Sequence, residues 1–499
     1  MYVVYFPLKT KSQDEARIEK FFTHCCIVYN KANAILSKEW RRLTVECTDE
    51  NGKVDYKKRR ELAKELSYNE NGISSDAAKD GGQKYSMFSR YGILNILTGI
   101  CQQDIGNGYS YGNLGEGNIW IVSKYRGELA MRLSSAWDKV MKEDAVSHRK
   151  YPEDWASMKS GVVPNVSKHI LVDSGNKTLI IKYGKKNTMV IPFVAHPDKR
   201  EYEATALTST IKEIGIKRIT VRGKKKYYLS ITIEGTPHNK GRKLGEGAIG
   251  IDPGVGSVTY YGKTVGQYSI DIDIKKLEEE KAKINRYLDH SRRVMNPDNF
   301  TPDGQIKRGV KLVWVKSNRY IKAKNKLREL ERKIADKRKR EQIRVANLML
   351  EEGNELHIEA NDVKSWTKRR TGITKDKNGH IRSNKKFGKS VSIAAPAQFL
   401  TIVKNKFTSM GGTVIEVDPK SAAATATDHT SNFARTKREL KERSVMLSDG
   451  TVHDRDAHAA FNLKHCNGNG EYDGAGMRQD YENFCQEEKK AWNTLKYQK

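Results

Sequence analysis

Three short segments, each carrying an acidic residue, constrain the fold of this chain more than any other feature. The first is the apolar run at residues 248–251, which is followed by Asp252 and a glycine-rich turn. The second is the β-like run at residues 355–358, which ends on Glu359, and the third places Asp456 at the start of a small-residue helix. About one hundred residues separate each acid from the next, so only a fold that joins two strand ends to one helix start could make them a site.

Three carboxylates at such positions are suited to Mg²⁺ or Mn²⁺, hard cations that prefer oxygen ligands. Two such ions about 4 Å apart can activate water and stabilise the leaving oxygen in phosphodiester hydrolysis. Each acid also has a structural interpretation, because an aspartate at a strand end or helix start commonly caps or turns the backbone.

The three segments in this order resemble the motifs of a RuvC-like nuclease, which has an RNase H fold. They read GIDPGVGSV at residues 250–258, HIEANDVK at residues 357–364 and HDRDAHAAFNLK at residues 453–464. The third is similar to the DRDxNAA signature of TnpB-type transposon endonucleases and type V CRISPR effectors, with His458 in place of the usual asparagine. The resemblance covers roughly residues 246–465, and the N-terminal half matches only in its general layout.

This resemblance implies roles for individual residues. Asp252, Glu359 and Asp456 would be the catalytic residues and the ligands of Mg²⁺ or Mn²⁺. Asp252 would bridge the two ions, and the other two acids would complete the two sites. Asp454 would either orient Arg455 or a metal-bound water, or cap the helix.

Charge points to a polyanionic partner, because the chain carries a net charge of +30 spread over its 499 residues. A basic ribosomal or membrane-surface protein is the alternative interpretation of this charge. The sequence has no apolar run of about 18 residues and no recognisable signal peptide, so we expect no membrane partner and a cytoplasmic, prokaryotic setting. Six cysteines without any C-x-x-C pair predict free thiols.

The N-terminal half changes from helical to β periodicity. A strand is predicted over residues 1–9, a long helix capped by Asp14 follows, and helical patterns return near residues 87–103 and 124–142. Successive short strands then suggest a small β-barrel that the first strand could complete. These strands are predicted at residues 170–172, 178–183, 188–193, 218–222 and 226–234.

The predicted fold class is α/β with additional all-β and α parts. The family layout implies an OB-like β-barrel wedge domain at residues 1–10 and 160–235, with a helical recognition lobe at residues 11–159 inserted into it. A basic linker at residues 236–247 would lead to the RuvC-like nuclease domain at residues 248–419 and 453–499. Within that domain, residues 274–350 are predicted to form a helical insertion. Its surface is either solvated or lies along a guide–target duplex or a second subunit. A helix at residues 391–410 and a strand at residues 414–417 follow.

Residues 420–452 would form an insertion that contacts the target nucleic acid. Relatives in the resembled family carry two C-x-x-C pairs there, which bind zinc. The matching positions in this chain are Ala426, His429, Leu447 and Gly450, and a single histidine does not hold zinc. We therefore expect no zinc in this insertion.

Two basic segments are candidates for contacts with nucleic acid. Trp366 lies in a basic loop, where it would either stack on a base or anchor the loop on the core. A basic helix predicted over residues 436–443 would contact phosphates on the way to the third acid, or would simply be solvated. The candidate residues are Lys364, Trp366, Lys368, Arg369, Arg370, Arg435, Lys437, Arg438, Lys441 and Arg443.

The motifs favour an RNA-guided DNA endonuclease of the miniature type V CRISPR class, subtype F. Its partners would be a guide RNA and target double-stranded DNA, and it would read a short motif beside the target. Miniature effectors of this size act as two copies on one guide RNA, so the resemblance implies a homodimer. Three alternatives remain: a transposon-encoded TnpB-like nuclease, a guide-RNA-dependent DNA-binding protein without cleavage, and a basic RNA-binding or ribosome-associated protein. About 250 residues before the first acid favour the CRISPR hypothesis over TnpB.

Overall fold

The computed structural model describes sixteen stretches of the chain, which divide into two compact units, Met1–His238 and Asn239–Lys499. The described stretches are residues 1–69, 72–74, 85–106, 109–111, 126–143, 151–152, 154–162, 170–182, 188–238, 241–269, 274–307, 310, 312–363, 365–367, 388–436 and 442–496. No helix in these stretches is both long enough and apolar enough to cross a bilayer.

The N-terminal unit combines long helices with short antiparallel strands. Its helices are α1 (Ser12–Glu46), α2 (Tyr56–Glu65), α3 (Arg90–Gln102), α4 (Arg126–Glu143) and α5 (Glu201–Thr208). Its strands are β1 (Tyr2–Pro7), β2 (Ser67–Asn69), β3 (Gly72–Ser74), β4 (Asp104–Gly106), β5 (Tyr109–Ser110), β6 (Ser157–Val162), β7 (Ile170–Asp173), β8 (Thr178–Lys182), β9 (Thr188–Pro192), β10 (Ile211–Val221) and β11 (Lys224–Ile233).

Helix α1 is the centre of this unit's core. Apolar residues recur along one face, and Ile18, Phe22, Leu36 and Trp40 on that face are buried. The sequence predicted Asp14 as the cap of this helix. The helix instead begins at Ser12, so Asp14 lies in its first turn. Its carboxylate instead accepts a hydrogen bond from the backbone N–H of Lys11.

The strands of this unit form two sheets rather than one closed barrel within the described residues. Strands β1, β11, β10 and β6 pair in that order and are all antiparallel, so the first strand does join strands more than 200 residues away. Strands β7, β8 and β9 form a second sheet. A single bridge between Leu8 and Phe193 connects the two sheets. In the part of the chain that the structure describes, the strands of the predicted β-barrel therefore form two joined antiparallel sheets.

The C-terminal unit is built on a mixed sheet. Its strands are β12 (Ala248–Pro253), β13 (Ser257–Tyr261), β14 (Val265–Ser269), β15 (Glu355–Glu359), β16 (Thr413–Val417), β17 (Thr427–Asp428), β18 (Ala434–Arg435), β19 (Ser444–Met446) and β20 (Val452–Asp454). Its helices are α6 (Lys275–Met295), α7 (Asn318–Glu352), α8 (Gly388–Ala394), α9 (Pro396–Ser409), α10 (Pro419–Ala422), α11 (Arg455–Lys464) and α12 (Gly474–Lys496).

Five of these strands pair in the order β14, β13, β12, β15, β16. The first three are antiparallel neighbours, whereas β12, β15 and β16 run parallel to one another. One face of the sheet packs its alternate apolar residues, including Ile249, Ile251, Leu356 and Ile358, against α7 and α9. The other face is covered by α11.

The single helix predicted over residues 391–410 is two helices in the structure. Helix α8 ends at Ala394, and α9 begins at Pro396. Ala395 lies between them with a φ of 49°. A residue that precedes proline is disfavoured in the right-handed helical region, so the helix breaks at this position.

All six cysteines are free, as the sequence predicted.

Candidate active site

The first two acids lie at the ends of neighbouring parallel strands. Ile251 of β12 is paired with Ile358 of β15, and the next residue on each strand is Asp252 and Glu359, respectively. The C-terminal ends of parallel strands meet at one edge of a sheet, so this register brings the two carboxylates together. Both residues are half-buried, and Asn361 donates a hydrogen bond of 3.0 Å to Glu359.

The third acid reaches the same edge because α11 packs closely on β12. Gly250 points to the face that the helix covers, and a Cβ added there would lie 2.0 Å from the carbonyl oxygen of Ala460. Only a glycine permits this approach of helix and strand. Asp456 lies in the first turn of α11, and its charge acts on Asp252 at the end of β12.

Asp454 caps the helix that carries Asp456. One oxygen of its carboxylate accepts hydrogen bonds from the backbone N–H groups of Asp456 and Ala457, both at 2.9 Å. This is the usual work of an N-cap aspartate, and it contributes about 0.5–2 kcal/mol to helix stability. Of the roles considered for Asp454, capping is the one for which the structure shows contacts.

The pKa values of the acids show that the carboxylates are crowded. Burial raises the pKa of Asp252 far above its ordinary value, and the charges of Asp456 and Glu359 raise it further. Arg455 acts in the opposite direction. Burial also raises the pKa of Glu359, while its hydrogen bond from Asn361 lowers it. Burial is therefore the main cause of both shifts, and like charge adds to it at Asp252.

Two arginines donate hydrogen bonds to the carboxylate of Asp456. Arg455 donates two hydrogen bonds to Oδ1, from Nε at 2.9 Å and from Nη2 at 2.7 Å. Arg443 approaches Oδ2 at 3.4 Å through Nη1, and its side chain is 70% exposed. The sequence analysis had named Arg443 only as a phosphate contact. Its position beside the acid could not be read from a separation of thirteen residues across a hairpin.

The donor set suits a hard divalent cation, because carboxylate oxygens are the ligands that these ions prefer. Across the described parts of the chain, no three His, Cys, Asp or Glu side chains converge as a formed metal centre. The backbone thus places Asp252 and Glu359 on neighbouring strand ends. The carboxylate of Asp456 instead accepts hydrogen bonds from Arg455 and Arg443.

Glu488 of α12 supports the start of α11 and was missed by the sequence analysis. Its Oε1 accepts a hydrogen bond of 2.8 Å from the backbone N–H of Asp454, and its Oε2 lies 2.6 Å from Nδ1 of His453. The other ring nitrogen of His453 lies 2.8 Å from the hydroxyl of Tyr481. The acidic residue stands in a charge-rich helix, and nothing in the local pattern distinguishes it from its exposed neighbours.

The insertion at residues 420–452 is held by hydrogen bonds between the two segments that would carry the zinc ligands. Asp428 accepts from the backbone N–H of Ser448 at 2.8 Å and from its hydroxyl at 2.7 Å. Burial works against the ionised form of Asp428, but these bonds and those from Thr430 hold its pKa well below the ordinary value. His429, at one former ligand position, instead lies 3.1 Å from Nε2 of His458. Burial lowers the pKa of His429 to about 4.

The predicted nucleic-acid contacts are only partly within the described residues. Trp366 is half-buried in a short helical turn, Ser365–Thr367. Arg435 donates hydrogen bonds to the backbone carbonyls of Lys420 and Ser421, so its guanidinium supports the insertion. The predicted basic helix over residues 436–443 falls mostly outside the described residues, and a strand begins at Ser444. Also outside them are Lys364, Lys368, Arg369, Arg370, Lys437, Arg438 and Lys441.

No protein-family model matches the chain, and no curated protein matches it. Among solved structures, it is similar to a Cas12f1 in complex with sgRNA and target DNA, with 13% identity, a TM-score of 0.39, and coverage of 68% of this chain and 71% of that one. A CRISPR-Cas12f ternary complex shares 12% identity with a TM-score of 0.24, over 91% of this chain and 85% of that one. The mini-RNA-guided endonuclease CRISPR-Cas_phi3 shares 14% identity with a TM-score of 0.29, over 60% and 57%.

Proposed function

We propose that the protein is an RNA-guided DNA endonuclease of the miniature type V kind, which hydrolyses phosphodiester bonds at the edge formed by Asp252, Glu359 and Asp456. The observation that supports this proposal is the backbone placement of the three motif acids, two at the ends of neighbouring parallel strands and one at the start of α11. Two strand ends and one helix start, spread over about two hundred residues, come together on a mixed sheet. This is the arrangement that the RuvC-like motifs imply for an RNase H-like domain.

Divalent cations bound by the three carboxylates would supply Lewis-acid stabilisation of the phosphate and a nucleophile at neutral pH. The chain's own residues prepare the site for them. Strand register fixes Asp252 beside Glu359, the cap formed by Asp454 fixes the first turn of α11, and Arg455 fixes the orientation of Asp456. In this proposal, Arg455 and Arg443 also offer donors to the phosphate of an approaching strand.

The proposed partners are a guide RNA and double-stranded target DNA. Base pairing would select the sequence, while the protein contacts the backbone and reads a short adjacent motif. The net charge of +30 supports a polyanionic partner. We propose the homodimer and the dependence on Mg²⁺ or Mn²⁺ on the strength of the motif resemblance. RNA that copurifies with the protein distinguishes a repeat–spacer guide from a transposon-end guide of a TnpB-like nuclease.

The central test is the variant Asp252→Asn in the guide-RNA complex with a matching plasmid and Mg²⁺. We expect cutting to fall by more than about 100-fold, beyond the 10–100-fold typical of residues that only support metal ligands. DNA binding in the absence of divalent cations should remain, because the substitution removes a charge that repels phosphate. Gel assays of cutting and binding on the same preparation give both results.

A matched control is Glu416→Gln. Glu416 is an acid on β16 of the same sheet, and its exposed side chain forms an ion pair with half-buried Lys404. Such a pair contributes little to stability, so this variant should cut like the parent protein. A plasmid that is cut at the parental rate by Asp252→Asn contradicts the site assignment.

A further inference from the structure

A cavity lies beside the catalytic edge, between the hairpin of β19 and β20 and the C-terminal part of α12. It has a volume of about 650 Å³, within the range of small-molecule sites in proteins. Its lining includes Arg443, Thr451, His453, Glu488, Lys489 and Trp492. The motifs assign no role to this cavity, and none of the proposed catalytic acids lines it.

Two cations and an aromatic ring give the cavity its chemistry. Arg443 and Lys489 are exposed, so a phosphate in the cavity can reach both. Trp492 is half-buried and supplies a flat apolar surface. A base stacked on a ring with cations on its phosphates is the mode by which proteins hold single strands.

The inner wall of the cavity is a fixed polar pair. The side chains of His453 and Glu488 are 4% and 6% exposed, and they lie 2.6 Å apart. Glu488 also accepts the backbone N–H of Asp454, the residue that caps the catalytic helix. The wall of the cavity and the start of α11 are therefore one hydrogen-bonded unit, which fixes the position of any occupant relative to Asp456.

Arg443 connects the cavity to the catalytic carboxylates. Its guanidinium lines the cavity and at the same time lies 3.4 Å from Oδ2 of Asp456. A phosphate that binds Arg443 would thus lie within one side chain of the acid. A strand whose base occupies the cavity would then have a backbone bond at the catalytic edge.

We propose that this cavity binds one nucleotide of single-stranded DNA next to the bond to be cut, with its base stacked on Trp492 and its phosphates on Arg443 and Lys489. This inference rests on the proposed nuclease function and deepens it by naming a subsite for the substrate. The occupant is a nucleotide rather than an inorganic anion, because the ring would contribute nothing to the binding of a phosphate alone.

The test uses the full chain without divalent cations and two probes, a short oligodeoxythymidylate and the same strand with abasic residues. The parent protein should prefer the strand that carries bases. Trp492→Ala should reduce that preference by about fivefold or more, the size expected for one stacked base, while Trp492→Phe keeps most of it. A Trp492→Ala variant that retains the full preference overturns the proposal.

The charge contribution has a matched pair of variants on adjacent residues. Lys489→Gln should weaken both probes and lower the slope of log affinity against log salt by about 0.7, the value for one phosphate on a single strand. Lys490→Gln should leave the slope unchanged, because Lys490 is bound to Glu487 at 2.6 Å and does not line the cavity. Equal slopes for the two variants contradict the phosphate contact.

Cross-linking of the unmodified chain removes any dependence on variants that fold poorly. A strand with 5-iodouracil should, on irradiation, attach to the peptide that contains Trp492, and attachment only elsewhere overturns the proposal. The plasmid assay separates the two levels of inference. If Asp252→Asn abolishes cutting but Trp492 is dispensable for base binding, the cavity proposal fails alone. If Asp252→Asn cuts normally, the proposed function fails whatever the oligonucleotides show.

Discussion

At the scale of single residues, the carboxylates of the proposed catalytic edge repel one another. Asp252 is held beside Glu359 and Asp456 by register and packing, and its pKa is raised first by burial and then by those two charges. For a carboxyl whose pKa is raised by folding, the folded state retains a proton that the unfolded state has lost. Stability therefore falls as the pH rises from the ordinary range of aspartate through the raised pKa, and it stays lower at neutral pH.

We predict that Asp252→Asn raises the melting temperature in chelator at neutral pH. The amide has nearly the same shape and no charge, so the repulsion disappears and the domain gains about 2–4 °C for each kcal/mol recovered. The gain in melting temperature should shrink as the pH is lowered towards 4, because the carboxyl of the parent protein is then neutral, like the amide. Calorimetry across that pH range checks the sign, with Glu416→Gln as the control, and a lower melting temperature for Asp252→Asn would count against crowding.

The sequence predicted which acids to examine but not what surrounds them. Strand-like and helix-like patterns placed Asp252, Glu359 and Asp456 at element ends, and the structure has them there. The hydrogen bonds of Arg455 to its own neighbour and the approach of Arg443 depend on side-chain rotamers and on a hairpin, which no periodicity encodes.

At the scale of elements, one strand and one helix control the site. Strand β12 carries Asp252, and α11 carries Asp456, and they touch where Gly250 faces the carbonyl oxygen of Ala460. The sequence showed the glycine but gave no reason for it, because its partner lies about two hundred residues later. The break at Ala395 differs in this respect: the following proline is a local signal that the sequence analysis overlooked.

We predict that Gly250→Ala separates α11 from β12. The added Cβ would lie 2.0 Å from one backbone atom and 2.5 Å from another, the amide nitrogen of Lys464, and neither can move without the helix. Overpacking of this kind costs about 1–3 kcal/mol, and the displaced Asp456 should reduce cutting at least tenfold. Thermal unfolding and the plasmid assay measure the two effects.

Gly127→Ala is the matched control for that substitution. Gly127 lies in α4, where an added Cβ meets nothing within 4 Å, so this variant should keep its activity and should be as stable as the parent protein or slightly more stable. Parental cutting by Gly250→Ala would show that close packing of α11 on β12 is not needed for the site.

At the scale of the whole chain, charge dominates. The 91 lysines and arginines outnumber the 61 acids. Composition predicts only that the partner is a polyanion. The order of strands in the mixed sheet could not be predicted, because the neighbouring strands β12 and β15 are about one hundred residues apart.

We predict a steep dependence of binding on salt. If several phosphates are contacted, the affinity for guide RNA or target DNA should fall by about a thousandfold or more between roughly 50 and 200 mM salt. Anisotropy titrations measure it, and the melting temperature over the same range controls for loss of the folded state. A flat response would exclude phosphate contacts as the main source of affinity.

The bonds from Ser448 to Asp428 have a consequence for how the insertion depends on its surroundings. A fold closed by zinc is only as intact as the supply of the ion, and it is vulnerable to oxidants that attack thiolates. An insertion closed by a carboxylate on a backbone amide needs neither a metal chaperone nor a reducing environment. If the insertion holds no zinc, we expect a zinc chelator to leave this segment folded, and we expect scarcity of zinc not to limit the amount of folded protein.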